Sequence, residues 1–184
     1  MKRTSKIERA TSETKISIDL DLDGGEYVNA TGVGFFDHML DHVARHGRFG
    51  LTVKAEGDTH IDDHHTVEDV GIVLGQALSE AVGDKKGIER YGFASVPMDD
   101  ALARVSVDLS GRPALVFDVQ FNDVFGKIGE FDNQLVREFL GALTVHGKLN
   151  CHVEAPHGHN DHHIAEAIFK ALGRALRQAV AVTG

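Results

Sequence analysis

Residues 63–82 and 161–180 can be laid over each other without a gap, and half of the positions are identical. The matches are Asp63/Asp161, His64/His162, His65/His163, Glu68/Glu166, Leu74/Leu172, Gly75/Gly173, Ala77/Ala175, Leu78/Leu176, Ala81/Ala179 and Val82/Val180. The likeness extends upstream, where "HGRFGLTVKAEG" from His46 parallels "HGKLNCHVEAP" from His146. A chain written twice must build the same unit twice. Two copies do not make a solenoid, which needs about three or more repeats. The duplication predicts one compact domain of two halves, residues 1–90 and 91–184.

The periodicity of each half is alike. "TKISIDLDLDGG" alternates Ile16, Ile18, Leu20 and Leu22 with polar partners and reads as a half-buried strand running into a turn at Gly24-Gly25. "YVNATG" reads as the strand that returns. In "FFDHMLDHVARHG" the period changes: Phe36, Met39, Leu40 and Val43 stand at helical spacing, with Gly47 as the stop. "LTVKAEG" is a further strand, followed by a helix from Asp63 to Val82 that ends near Gly83. The second half repeats the order with strands "YGFASVPM", "LARVSVDLSG" and "RPALVFDVQF", the helix "NQLVREFLGALTVHG", the strand "LNCHVEAP" and the second His-His helix. The expected class is α+β, with mixed sheets packed against helices.

Composition narrows the chemistry. Nineteen basic against 28 acidic residues give a formal charge of −9, which argues against nonspecific binding to nucleic acid or to an anionic membrane. The start lacks an apolar signal core, and no stretch approaches the roughly 20 apolar residues of a membrane helix, so a cytosolic location is expected. The single cysteine, Cys151, excludes an internal disulfide and a thiolate-rich metal site. Nitrogen and oxygen must hold any metal. The 12 histidines all fall between His38 and His65 or between His146 and His163.

On a helix Glu68 can approach both His64 (i, i+4) and His65 (i, i+3), while the two adjacent histidines diverge by about 100°. One histidine and the glutamate can serve the same ion; the other histidine must look elsewhere. The same holds for His162, His163 and Glu166. Imidazole and carboxylate without thiolate suit manganese, iron, zinc or nickel. Asp62, Asp63 and Asp161 stand where they can cap the helix starts. His38, His42 and His46, four apart, stack along one helix face, and Glu138 is the second-half counterpart of His38. Arg90, Arg112 and Lys170 interrupt the acidic background and together could hold a phosphate.

The segments "FFDHMLDH", "DDHHTVEDVGIVLGQAL", "GIERYG", "VDLSGRP" and "NDHHIAEAIFKALGRALRQA", in this order and at these separations, resemble the imidazoleglycerol-phosphate dehydratases of histidine biosynthesis. The resemblance covers nearly the whole chain. It implies two duplicated ferredoxin-like halves and a homo-oligomer of 24 subunits built from trimers, with active sites between subunits and two Mn2+ ions per site. It also implies a lyase that dehydrates a small phosphate-bearing substrate, bound to the metals as its imidazolate. His38, His65, Glu68 and His162 would gather around one ion, with His64, His163, Glu166 and Glu138 around the other, and ligands of one set can come from different subunits. By the same resemblance Glu13, His46, Glu68 and Glu166 are the acid–base candidates. Glu13, His38, Asp41, His42, His46, Arg90, Arg112 and Lys170 are the substrate-binding ones. At the position of Glu138 family members often carry histidine, and after the segment matching "AVAVTG" they continue into a short Ser/Thr-Lys-Gly tail that contributes to phosphate binding.

Overall fold

A computed structural model describes residues 2–184. The first six elements are β1 (Thr4–Ala10), β2 (Thr14–Asp21), β3 (Tyr27–Ala30), α1 (Gly34–Gly47), β4 (Gly50–Gly57) and α2 (His64–Val82). The order then recurs as β5 (Tyr91–Met98), β6 (Ala101–Asp108), β7 (Ala114–Asp118), α3 (Gln134–Gly147), β10 (Asn150–His157) and α4 (Asp161–Ala179). A short hairpin, β8 (Lys127–Ile128) and β9 (Phe131–Asp132), is inserted before α3 and has no first-half counterpart.

The two large sheets have the same strand order, β1-β2-β4-β3 and β5-β6-β10-β7. Reading "YVNATG" as a strand that folds back on β2 needs correction. β3 lies at the sheet edge, parallel to β4, and β4 separates it from β2. A parallel neighbour requires a crossover, and α1 provides it.

The helices lie between the sheets. α2 packs on β1, β2 and β4 and crosses onto α3; α4 packs on β5, β6 and β10 and crosses onto α1. Ile16, Ile18 and Leu20 alternate into this interior as their period requires, and Phe36, Phe139 and Phe169 meet at its centre with centroids 5.2 and 5.5 Å apart. β1 escaped the sequence reading because its inward side chains are Ser5, Ile7 and Arg9. The Ser5 hydroxyl donates to the Ala77 carbonyl at 2.8 Å and Arg9 pairs with Asp69 at 3.0 Å, so polar groups dock this strand on α2.

The duplicated glycines mark where helices touch. A Cβ on Gly75 would stand 2.7 Å from the Gly147 nitrogen and 2.8 Å from the Leu143 carbonyl; one on Gly173 would stand 2.7 Å from the Val43 carbonyl and 3.0 Å from the Gly47 nitrogen. Gly47 itself is needed for close approach to the Phe49 ring. The left-handed residue that ends α1 is Arg48 (φ 55°), and Lys148 (φ 52°) does the same for α3. Because the atoms opposing Gly75 and Gly173 are backbone, no rotamer change can make room. Gly75→Ala and Gly173→Ala are each expected to destabilise the fold by about 1–3 kcal/mol, read as a lower denaturation midpoint.

Candidate metal centre

Helix α4 opens with Asn160, whose side-chain oxygen accepts from the His163 amide at 3.2 Å. Asp161 is not the cap. It accepts instead from the Asn122 amide and side chain (2.9 and 2.8 Å) and from Asn133 (3.1 Å), tying the inserted loop to the helix start. At α2 Asp62 accepts from the His64 amide at 2.9 Å, and Asp63 makes no capping bond.

With the first turn of α4 fixed, His162 Nε2 lies 3.0 Å from Glu166 Oε2. From α1, His38 Nε2 reaches the same oxygen at 3.7 Å, while His42 Nε2 lies 3.2 Å from Glu166 Oε1 and 3.2 Å from His38 Nε2. Lys170 Nζ completes the group 2.7 Å from Glu166 Oε1. One donor atom from each of His38, His162 and Glu166 fits within 4.8 Å of the other two. Two imidazoles and a carboxylate suit a divalent transition ion, and Cys151 is buried elsewhere in the core.

Glu166 is 6% exposed. Burial works to raise its carboxyl pKa, but the Lys170 hydrogen bond and the neighbouring imidazoles outweigh that and lower it. His42 is pushed down to about 4, chiefly by burial and then by His38 and Lys170, against the pull of Glu166. It is therefore neutral at pH 7. His46, one turn on, is also lowered by burial and by Lys170 and the arginines near it. The metal-free protein should lose stability as pH falls from about 6.5, where an unfolded histidine gains its proton, towards 4, where the folded His42 does. His42→Gln should flatten that slope in denaturation measured across the range.

The α2 set divides in the same way. His64 Nε2 lies 3.4 Å from Glu68 Oε2, with both side chains exposed. His65 turns away: its Nδ1 is 2.8 Å from Asp58 Oδ2 and 3.7 Å from Glu13 Oε2. In α4 the second histidine turns away likewise, with His163 Nδ1 2.6 Å from Asp100 Oδ1 and Nε2 3.7 Å from Asp99 Oδ2. The Asp58 hydrogen bond raises the pKa of His65. Asp100 is held well below the usual carboxylate range by His163 and by the amides of His159 and Asn160.

Within one chain, then, His38 and His162 meet Glu166, whereas the grouping implied by resemblance set them with His65 and Glu68. Glu138, half-buried, lines a groove of about 940 Å³ shared with His64, His162, Phe35 and Lys127, outside the three-donor set. Asp41 accepts from Asn29 at 2.7 Å and braces β3. Sequence reasoning missed Asp58 and Asp100, because aspartate is among the residues that turns ordinarily favour.

The basic residues separate. Lys170 sits on Glu166, but Arg90 pairs with Asp108 at 2.7 Å and lies over the Tyr91 ring, at the far end of β5 and β6 from the Asp99–Asp100 turn. The Arg90 amide bonds the Ala179 carbonyl, and from His163 to Ala179 the helix rises about 24 Å. Arg112, exposed, follows β6 at that same far end.

Residues 31–176 match the imidazoleglycerol-phosphate dehydratase family, a span that includes every candidate site residue except Glu13. Imidazoleglycerol-phosphate dehydratases of Paracoccus denitrificans and Ruegeria pomeroyi are each 61% identical over 97% of this chain and 91% of their own length. The crystal structure of the Staphylococcus aureus enzyme superposes with a TM-score of 0.89 at 42% identity, covering 98% of this chain and 99% of that one. The Pyrococcus furiosus structure gives 0.83 at 37%, covering 96% and 93%. With its doubled fold and its paired histidine helices matched over nearly their full length, the chain belongs to the imidazoleglycerol-phosphate dehydratase family.

Proposed function

We propose that this hydro-lyase removes water from imidazoleglycerol phosphate to give imidazole acetol phosphate in histidine biosynthesis, that it uses two manganese ions, and that its active site is completed by a second subunit. The convergence of His38, His162 and Glu166 carries the metal reading. His64 and Glu68 form a partial second set, which needs donors from another chain or a rearrangement of this one. Manganese at these positions would supply positive charge where the substrate's ring becomes electron-rich.

Loss of water requires a base for the C–H proton and an acid for the departing hydroxyl. Glu166 is already engaged by Lys170 and the histidines, so its part is to hold an ion. Glu13 and Glu68, with side chains 49% and 42% exposed, are free to reach a substrate and exchange protons with it. Neutral His42 and His46 line the same helix face and offer hydrogen bonds to the ring or its hydroxyls. Arg90, at the opposite end of α4 from His163 across a rise of about 24 Å, and Arg112 beyond the same end of β6 would clamp the phosphate of a substrate held by a neighbour's metals.

A homo-oligomer of trimers, 24 subunits in all, fits that division. Tyr91 and Phe93 lie exposed along β5, where a copy of the chain could cover them. No described helix is long and apolar enough to cross a membrane, and we place the enzyme in the cytoplasm. The reading is tested by assaying metal-stripped protein for imidazole acetol phosphate release with and without manganese. Turnover should return with the ion; tight binding of manganese with no turnover at high substrate would refute the dehydratase reading.

A further inference from the structure

We propose that Asp58 and Asp100 are positioning residues that keep the proton of His65 and His163 on Nδ1, so that each ring presents a bare Nε2 to a metal. The inference rests on the metal reading above, but concerns two aspartates outside it.

In each half the second histidine of the pair points Nδ1 at a carboxylate, 2.8 Å from Asp58 and 2.6 Å from Asp100. A carboxylate accepts but cannot donate, so the ring atom facing it must carry the hydrogen. Metal-bound imidazoles commonly donate their other N–H in this way, which fixes both ring plane and tautomer.

Both carboxylates are immobilised. Asp100 Oδ2 accepts from the amides of His159 and Asn160, the loop that leads into α4, so one aspartate holds both the ring and the helix entry. The side chain of Asp58 is 12% exposed, and its backbone is pinned by bonds to the Glu13 carbonyl and from the Ile61 amide.

The duplication provides the second line of argument, because the two aspartates are not equivalents. Asp58 follows β4, and the matching position after β10 is Gly158, which has no side chain to offer. Asp100 precedes β6, and the matching position before β2 is Glu13, which lies 3.7 Å from the same His65 nitrogen. Two different loops deliver a carboxylate to the same atom. A surface ion pair inherited from the ancestral unit would have kept its place; what recurs here is the contact.

The test uses the assembled protein and its own metal. Nitrogen-15 spectra of histidine-labelled, metal-free wild type at pH 8 should contain two rings protonated at Nδ1 and bare at Nε2. Asp58→Ala and Asp100→Ala should each remove one of them and weaken manganese binding, followed by titration calorimetry, about 10–100-fold. Asp58→Asn and Asp100→Asn keep an acceptor oxygen and should restore most of the tautomer signal, which a merely structural role would not predict. Wild-type spectra with no ring protonated at Nδ1 and bare at Nε2 would overturn the proposal without any variant having to fold. Wild type that binds manganese, with alanine variants binding equally well, would also overturn it while leaving the metal centre standing. Wild type that binds no manganese would remove the metal centre and this proposal together.

Discussion

Glu166→Gln is expected to empty the α4 donor set of manganese and to lower kcat/KM by about 10³-fold or more, the scale of a lost metal contribution. The substitution keeps shape and removes charge. Glu166 is where His38, His42, His162 and Lys170 converge, so it is the nearly buried anion that balances the Lys170 ammonium and accepts from the imidazoles around it. A neutral amide would leave Lys170, its side chain only 17% exposed, without a counter-charge beside an incoming cation. Some stability should be lost along with the metal. The double variant Glu166→Gln/Lys170→Met separates the two effects: it removes both charges, so stability should return while manganese does not. Wild-type manganese stoichiometry in Glu166→Gln, measured by equilibrium dialysis, would sink the assignment.

What could be read in the sequence followed from how each feature is encoded. The alternation of Ile16, Ile18 and Leu20 and the helical spacing of Phe36, Met39, Leu40 and Val43 are burial patterns, and removing apolar surface from water is what chiefly drives the chain to fold. β1 carried no such pattern, since Ile7 is its one apolar inward residue, between Ser5 and Arg9. The place of β3 was equally hidden: a strand's period says which residues face inward, not which neighbour it pairs with. For the site, helical spacing put both histidines of each pair within reach of the glutamate without choosing between them, and the fold brings His64 to Glu68 and His162 to Glu166. It could say only that one histidine of each pair looks elsewhere, because the partners of His65 and His163, Asp58 and Asp100, come from turns brought close by sheet topology. The convergence of His38 with Glu166 depends on α1 crossing α4 at Gly173, a long-range contact that the duplicated glycine marks but does not explain.

Two inactive variants should restore activity to one another when made in the same cell. His163→Ala damages the histidine end of the chain and Arg112→Glu reverses a charge at the other end, where an exposed side chain leaves the fold untouched. Each alone should be nearly inactive. If one active site draws His163 from one subunit and Arg112 from another, random mixing in equal amounts leaves about a quarter of the sites with both residues intact, as expected for a contact between copies. Co-expressed and co-purified through two different tags, the mixed particles should therefore show about a quarter of wild-type turnover, with unchanged KM at the surviving sites. Separately purified variants mixed without exchange of subunits should show none. A site contained within one chain predicts no recovery in either case, because every subunit would carry one lesion. It would also have to bring His163 and Arg112 onto one small substrate from opposite ends of α4 and β6, where the helix alone rises about 24 Å from His163 to Ala179 and both elements hold the span rigid. The two ends of this chain serve one reaction only if they belong to different sites.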